Sequence, residues 1–459
     1  MEPTFPFESF IVFAGLGIFL LVGMLFRSKI GFFQRYLIPS CLIGGFIAMI
    51  LRNLGLLPMM SSDLLQTLIY HLFNVSFISV GLTPPVKNMK KGVKGIEKIR
   101  GPLGMGLMQG VVFPMQAVLG GLMTIVFVFF GFNLFSTFGF LTSLGFTEGP
   151  GQALSLGQSW EQIAGGAYIH STTVGLAFAA IGFFFAFFIG VSLVNWAIRK
   201  GLASEAKKEL PLDFLKGFKS RADEKPVGGR ETTHPANVDV LSFHAGLVGL
   251  IFVLTFGLVR ILTGYLPPDL AKTFWGFFFF FGLVIAFFIR WFMNKLGFGY
   301  IIDRNIQKRI TGWSVDFLLV ATITAIELAI VWKFLLPILS ISITAGVVTL
   351  FVVVYIGKHI WDRFAIERVA GIFGTVTGTL PSGLLLVRIL DPEFRTSAAV
   401  DLGLTSIFAA PFILSGMILV NAPVLWGWNL LDTLLVFAAM SLISFVLFFV
   451  FRLWGKPSF

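Results

Sequence analysis

Long apolar runs separated by short polar ones set the pattern of this chain. A bilayer crossing takes about 20 mostly apolar residues. Runs of that kind fall at roughly 9–27, 36–56, 64–83, 103–131, 163–198, 240–264, 270–293, 313–334, 337–357, 397–421 and 425–452. The run at 163–198 exceeds one crossing, so it must tilt, kink or project from the bilayer. Two other stretches, 136–160 and 367–392, are partly apolar, punctured by Gly and Pro, and closely flanked by spans. Each is predicted to be a re-entrant hairpin. Their centres read Phe146-Thr147-Glu148-Gly149-Pro150-Gly151-Gln152 and Gly374-Thr375-Val376-Thr377-Gly378-Thr379-Leu380-Pro381-Ser382-Gly383. Broken backbone at membrane depth is tolerated only where protein or a water-filled cavity satisfies its polar groups. Interruptions at matching places in two halves point to a transport site.

The loops give the pattern a direction. Basic residues gather after the first span (Arg27, Lys29, Arg35), after the third (Lys87, Lys90, Lys91, Lys94, Lys98, Arg100), in 199–239, after the seventh (Arg290, Lys295, Arg304, Lys308, Arg309) and after the last (Arg452, Lys456). With eleven spans, all of these lie on one side, which the positive-inside rule makes cytoplasmic. The N-terminus is then outside and the C-terminus inside. Spans one to five with their hairpin (1–198) and six to ten with theirs (240–421) repeat one order of elements. Five is odd, so the second copy is inverted. The polar stretch 199–239 joins the halves as a cytoplasmic linker, and 422–459 adds one span. The expected fold is therefore an all-α polytopic membrane protein of two inverted five-helix repeats, each with a re-entrant hairpin.

Composition agrees: 56% of residues are apolar and only 12% charged, and 55 of 459 are Phe. A soluble domain is nearer a quarter charged. The formal charge of +11 sits in short loops, which argues for membrane orientation and against a nucleic-acid surface. The single Cys41 excludes a disulfide framework or a cysteine-rich metal site. The first apolar run lacks the basic flank and cleavage site of a signal peptide and reads as a span. No His-Glu-x-x-His or Gly-x-Ser-x-Gly motif supports an enzyme, and no filter-like motif supports a channel.

From about Phe33 to Val420 the order of motifs resembles the bacterial glutamate:sodium symporters, as a divergent member. Tyr36-Leu37-Ile38-Pro39-Ser40-Cys41-Leu42-Ile43-Gly44-Gly45 is similar to that family's Ile-Pro-Glu-Pro…Gly-Gly opening of an early span. Phe77-Ile78-Ser79-Val80-Gly81-Leu82 resembles its Ala-Thr-Ile-Gly-Leu run. Gly149 and Gly151 fall on its first-hairpin pattern Gly-Gly-His-Gly-Thr-Gly, and Gly374, Gly378, Pro381 and Ser382 on its second, Gly-Phe-Gly-Leu-Gly-Ala-Thr-Pro-Thr. Glu148 stands where the family has His, Leu386 where it has Asn, and Ser40 where it has Glu. The resemblance implies sodium-coupled uptake of glutamate across the bacterial inner membrane by a homodimer, with substrate between the hairpins.

The residues suggest how. Glu148, near the midplane by length, is a carboxylate where charge is costly and usually functional. It suits a substrate ammonium or a coupling cation. Half-helix N-termini offer N–H groups to an anion, and Gly149, Gly151, Gly378 and Gly383 let a ligand approach the backbone. Thr147, Gln152, Thr375, Thr377, Thr379 and Ser382 add polar side chains. Asn74, Ser76 and Asp316 are candidate Na⁺ ligands, with Ser79 and Glu327 of similar grade. Arg388 reads as positive-inside or locally paired. Symport of another carboxylate or dicarboxylate, or proton coupling through Glu148, is the alternative.

Overall fold

The structure is a computed structural model that describes residues 7–84, 99–163, 166–203, 212–219, 227–392 and 395–459, apart from the side chains at 212, 214, 269 and 273. The basic residues at 87, 90, 91, 94, 98, 207, 208, 221 and 225, and Glu393, lie outside the described residues. In chain order the main helices are α1 (Glu8–Lys29), α2 (Ser40–Asn53), α3 (Ser62–Leu82) and α4 (Arg100–Phe129). Next come α5 (Phe140–Ser143), which runs into a π-helical turn Leu144–Glu148, α6 (Pro150–Ile163) and α7 (Ser171–Arg199). The second half has α8 (Val240–Thr263), α9 (Phe278–Lys295), α10 (Arg304–Thr324), α11 (Leu335–Ile360), α12 (Ala365–Gly378), α13 (Leu380–Leu390) and α14 (Ala398–Leu419), and α15 (Leu430–Val450) follows. There is no strand among the described residues.

Nine helices among the described residues are long and apolar enough to cross a membrane: α1, α3, α4, α7, α8, α9, α11, α14 and α15. The chain is thus an all-α, multi-pass membrane protein. Four of the eleven expected runs differ. The run at 36–56 yields only the 14 residues of α2, because Pro39 biases the residue before it away from helix and Leu37 takes φ 52°. The run at 313–334 begins earlier, in the basic segment at Arg304, and ends at Thr324; a short helix Leu328–Lys333 follows the irregular residues between. The run at 163–198 starts at Ser171 and carries a π-helical turn, Phe185–Ile189. The run at 270–293 is interrupted at Phe277, between Pro268–Gly276 and α9.

Packing sorts the helices into two groups. The leading helices of each half, α1–α3 and α8–α10, pack mainly on one another: α1 on α2, α3 on α9 and α10, α10 on α2. In the second group α4 touches α5, α11, α14 and α15, while α6 packs on α7 and α12 on α13. The groups meet through α6, against α3 and Pro268–Gly276, and through α7, against α10 and Leu328–Lys333. In lipid there is little hydrophobic drive between helices, so close approach of small residues replaces it. A Cβ on Gly120 would lie 2.1 Å from the Gly139 carbonyl oxygen, and one on Gly44 2.1 Å from that of Phe19. A Cβ on Gly246 in α8 would meet nothing within 4 Å.

That contrast sets signs. Ala removes about 0.5–1 kcal/mol of glycine's helix penalty, whereas overpacking costs about 1–3 kcal/mol. Gly246→Ala should hold or raise the unfolding temperature in detergent and Gly44→Ala should lower it; equal shifts would contradict the α1–α2 packing.

Candidate functional site

Two helices are interrupted in the middle of the second group, and the interruptions share a form. At Gly149 the backbone takes φ 88° and ψ −176°, at Thr379 φ 125° and ψ 167°. Both lie in a region that is essentially glycine's own. Each interruption is followed within two residues by a proline in the first turn of the next helix, Pro150 of α6 and Pro381 of α13. Proline suits that turn, where an N–H has no intrahelical partner.

The interruptions touch. A Cβ built on Gly149 would lie 4.0 Å from Cβ of Thr379 and 2.5 Å from its Cγ2. The N-termini of α6 and α13 therefore begin side by side, next to the C-terminal ends of α12 and of the turn Leu144–Glu148. Four helix ends converge, two offering N–H groups and two offering carbonyls. Gly151, one residue into α6, packs on the Phe73 ring of α3, which a Cβ would approach to 2.1 Å.

A buried network ties the parts together. The Thr147 hydroxyl donates to Oε1 of Gln116 on α4 (2.8 Å) and lies 3.3 Å from the Val376 carbonyl oxygen on α12. Gln116 Nε2 donates to the same carbonyl (3.0 Å) and to Thr349 Oγ1 on α11 (3.1 Å). Gln116, Thr349 and Thr377 are fully buried and Thr147 nearly so. Helix α7 wedges alongside: a Cβ on Gly182 would sit 2.5 Å from the Thr377 carbonyl oxygen and 2.9 Å from the Phe146 ring. The π-helical turn of α7 begins three residues later; such turns recur at functional sites.

Several polar atoms at the first interruption and along α6 are buried without a hydrogen-bond partner among the described residues: Glu148 Oε1, both amide atoms of Gln152, and the Ser155 and Ser159 hydroxyls. Gln152 is fully buried. An unpaired buried polar group costs about 1–3 kcal/mol, so this concentration reads as a place for a polar ligand. Ser155 lies beside Gly276, and Gln158 Nε2 donates to Gln66 Oε1 on α3 (2.8 Å). This face of α6 thus looks onto the other group of helices.

The remaining sequence candidates divide. At the second interruption the Thr375 and Thr377 hydroxyls donate to their own helix, at the carbonyls of Gly371 and Phe373. Ser382 is buried, its Oγ 2.8 Å from where a Cβ on Gly378 would stand. A Cβ on Gly383 would lie 2.3 Å from the Gly371 carbonyl oxygen, so α12 and α13 fold tightly on each other. Asn74, Ser76 and Asp316 have different neighbours. Asn74 is buried with Nδ2 unpartnered among the described residues, the Ser76 hydroxyl donates to Phe73 in its own helix, and Asp316 is exposed, beside the Cys41 thiol. Ser79 donates to Gln307 Oε1 (2.6 Å). Arg388 is exposed on α13.

Glu327 has a structural task. Its Oε1 accepts from the Ser62 hydroxyl (2.5 Å) and lies 3.9 Å from Arg52 Nη2. Arg52 also donates to the Met60 carbonyl (2.7 Å), while Asn53 holds both the Ile326 carbonyl and the Leu328 N–H (2.9 Å each). Together they satisfy the backbone freed between α10 and the next short helix. Among the described residues no three His, Cys, Asp or Glu side chains converge on a metal site. A cation here would rest on carbonyls, hydroxyls, amides and a single carboxylate.

Sequence reasoning passed over Gln116 and Thr349. It also passed over the buried ion pair of Arg368 and Asp401 (Nη2–Oδ2 2.7 Å), which with Ser397 joins α12 to α14. Neither the protein-family models nor the curated proteins compared with this chain give a match.

The mirrored backbones predict opposite responses. Thr379 carries about 1–3 kcal/mol of strain that glycine would not, so Thr379→Gly should keep or raise the unfolding temperature. Gly149→Ala adds both strain and a contact with Thr379, and should lower it. A fall for Thr379→Gly as large as that for Gly149→Ala would contradict the geometry.

Proposed function

We propose that this protein is a secondary transporter that moves a glutamate-like organic anion across the membrane together with sodium, by alternating access, with substrate held where the two interrupted helices meet. The observation that carries this reading is the contact between the Gly149 and Thr379 interruptions, with unpaired polar atoms of Glu148 and Gln152 buried beside it. An amino-acid substrate has an anionic and a cationic end. The N-termini of α6 and α13 suit the carboxylate, and Glu148 with the helix-end carbonyls suits an ammonium or Na⁺.

The sorting of the helices into two groups supports alternating access. The polar face of α6, with Gly151, Ser155 and Gln158, lies at the meeting of the groups, so relative movement of one group would carry the site with it. The motif order shared with the glutamate:sodium symporters supports the substrate class, the inverted repeats with re-entrant hairpins and the homodimer. A second reading, proton coupling with another carboxylate as substrate, is favoured by Glu148 Oε1, which is buried without a partner among the described residues and could carry the proton.

The test is uptake into proteoliposomes from a panel of labelled amino and carboxylic acids, with the wild type and Glu148→Gln. An inward sodium gradient should drive uptake, and replacing sodium with choline should abolish it; uptake that ignores sodium and follows the proton gradient selects the second reading. Loss of a desolvated charged partner costs about 2–5 kcal/mol, so Glu148→Gln should weaken apparent affinity roughly thirty-fold or more. A loss rescued by high sodium assigns Glu148 to the cation, and one that persists assigns it to the substrate. Wild-type affinity at both low and saturating sodium would remove Glu148 from the site.

A further inference from the structure

Away from the interrupted helices, a groove of about 700 Å³ opens on the surface between α4, α11 and α15. Its walls are almost wholly apolar, among them Val111, Met115, Phe351, Ala438 and Leu442. Of the two wall residues with hydroxyls, Ser441 is already engaged, donating to the Val111 carbonyl (3.0 Å), and Tyr355 stands at one end. Phe351 and Leu442 are 69% and 61% exposed, on two helices long and apolar enough to span a bilayer. The groove therefore opens toward lipid, and its volume is in the range of about 300–1,000 Å³ found for ligand pockets.

One end of the groove is different in chemistry. There Tyr355 and Phe445 meet Trp454, which packs edge-on against Phe445 (centroids 5.5 Å apart) and stacks on His359 (4.9 Å, 9° between planes). The segment after α15 folds back on the end of α11, with Gly455 N–H donating to the His359 carbonyl (2.7 Å) and Ser458 N–H to that of Lys358 (2.8 Å). This brings four cationic residues to one end. Lys358 lies over the Tyr355 ring (5.3 Å), Arg100 Nη2 donates to the Leu453 carbonyl (3.3 Å), and Arg452 and Lys456 are exposed on the returning segment. Arg100 Nε is buried without a partner among the described residues. Two acidic residues lie nearby: Asp362, whose Oδ1 accepts from the Arg363 N–H, and Asp401, which sits against Gly101 and is paired with Arg368.

We propose that this groove binds an anionic phospholipid, with acyl chain along α4, α11 and α15 and phosphate among Lys358, Arg452 and Lys456. Aromatic side chains at the junction and cations just beyond it are the arrangement that matches a lipid's chain, glycerol level and headgroup in order. A second copy of the chain is the poorer occupant. A two-fold axis along the membrane normal would bring the same end of each groove together, and with it both sets of cations.

Native mass spectrometry of the full chain in detergent, with phosphatidylglycerol or phosphatidylcholine added, tests this. The wild type should bind phosphatidylglycerol in clear preference. Two cations near an anionic headgroup are worth about a thirty-fold change, so Lys358→Gln/Lys456→Gln should lose that much phosphatidylglycerol affinity and keep its weak phosphatidylcholine binding. Ala438→Trp, which fills the groove and leaves the cations in place, should weaken both lipids. Absence of preference in the wild type, or an unchanged phosphatidylglycerol affinity in both variants, overturns the proposal. So does efficient disulfide cross-linking of two copies through Leu442→Cys in a Cys41→Ala background, which would make a second copy the occupant.

Discussion

A backbone group that meets hydrocarbon has no water to bind, so each interruption of a membrane helix must be answered from within the protein. In this chain the two interruptions at Gly149 and Thr379 are placed against each other, and one amide does much of the answering. Gln116 reaches from α4 to the Val376 carbonyl, near the end of α12, and accepts the Thr147 hydroxyl from the preceding turn of the other interruption. Thr349 of α11 fixes its second proton. Each half of the sequence thus contributes two members to one buried network. In a low dielectric such a network holds its geometry strongly when complete and is costly when broken. Removing Gln116 would leave only the longer bond from Thr147 to the Val376 carbonyl (3.3 Å) to join the two interruptions.

The packing around this contact leaves little slack. Gly182 admits the Thr377 carbonyl, Gly145 the backbone of α7 near Phe178, and Gly383 the Gly371 carbonyl. Thr379 remains in a glycine-like conformation although it is β-branched. Strain of that kind persists only where the surroundings over-determine it, and here they are two prolines, the facing Gly149 and the close limbs of α12 and α13. Such strain is also a reservoir: a ligand that binds the N-termini of α6 and α13 meets a site shaped in advance, at a backbone cost already borne by the fold.

Much of this was legible in the sequence, for physical reasons that can be named. Apolar length marks a membrane helix because the bilayer fixes its thickness, and Gly-Pro punctuation marks an interruption because few other residues tolerate one. Those signals located α1, α3 and α4 and both interruptions to within a few residues. They could not say which side chains meet, since spacing along a helix gives a face but no partner. Gln116 was a visible signal, a lone amide seven residues after Gln109 in an apolar run, yet only the fold shows it pointing at Val376. Glu327 read as a functional membrane carboxylate, but Ser62 and Arg52, far away in sequence, take up its side chain while Asn53 binds the backbone on either side of it. Pro39 shortened one expected span, and the helix that starts in the basic segment at Arg304 shifted another, in ways that mean hydropathy over a long window conceals. The Arg368–Asp401 pair escaped notice because its members are 33 residues apart and each looks like an interfacial charge alone.

The central claim is that the two interruptions touch and that their junction is where substrate binds. Replacing Gly149 and Thr379 with cysteine in a Cys41→Ala background tests it directly, because the Cβ separation of 4.0 Å falls within the roughly 3.5–4.5 Å that a disulfide spans. Mild oxidation of the reconstituted protein should form the bond within one chain, arrest uptake reversibly, and proceed more slowly when sodium and substrate are both present. Failure of the pair to cross-link would contradict the contact, and cross-linking at the same rate with and without substrate would contradict its role as the site.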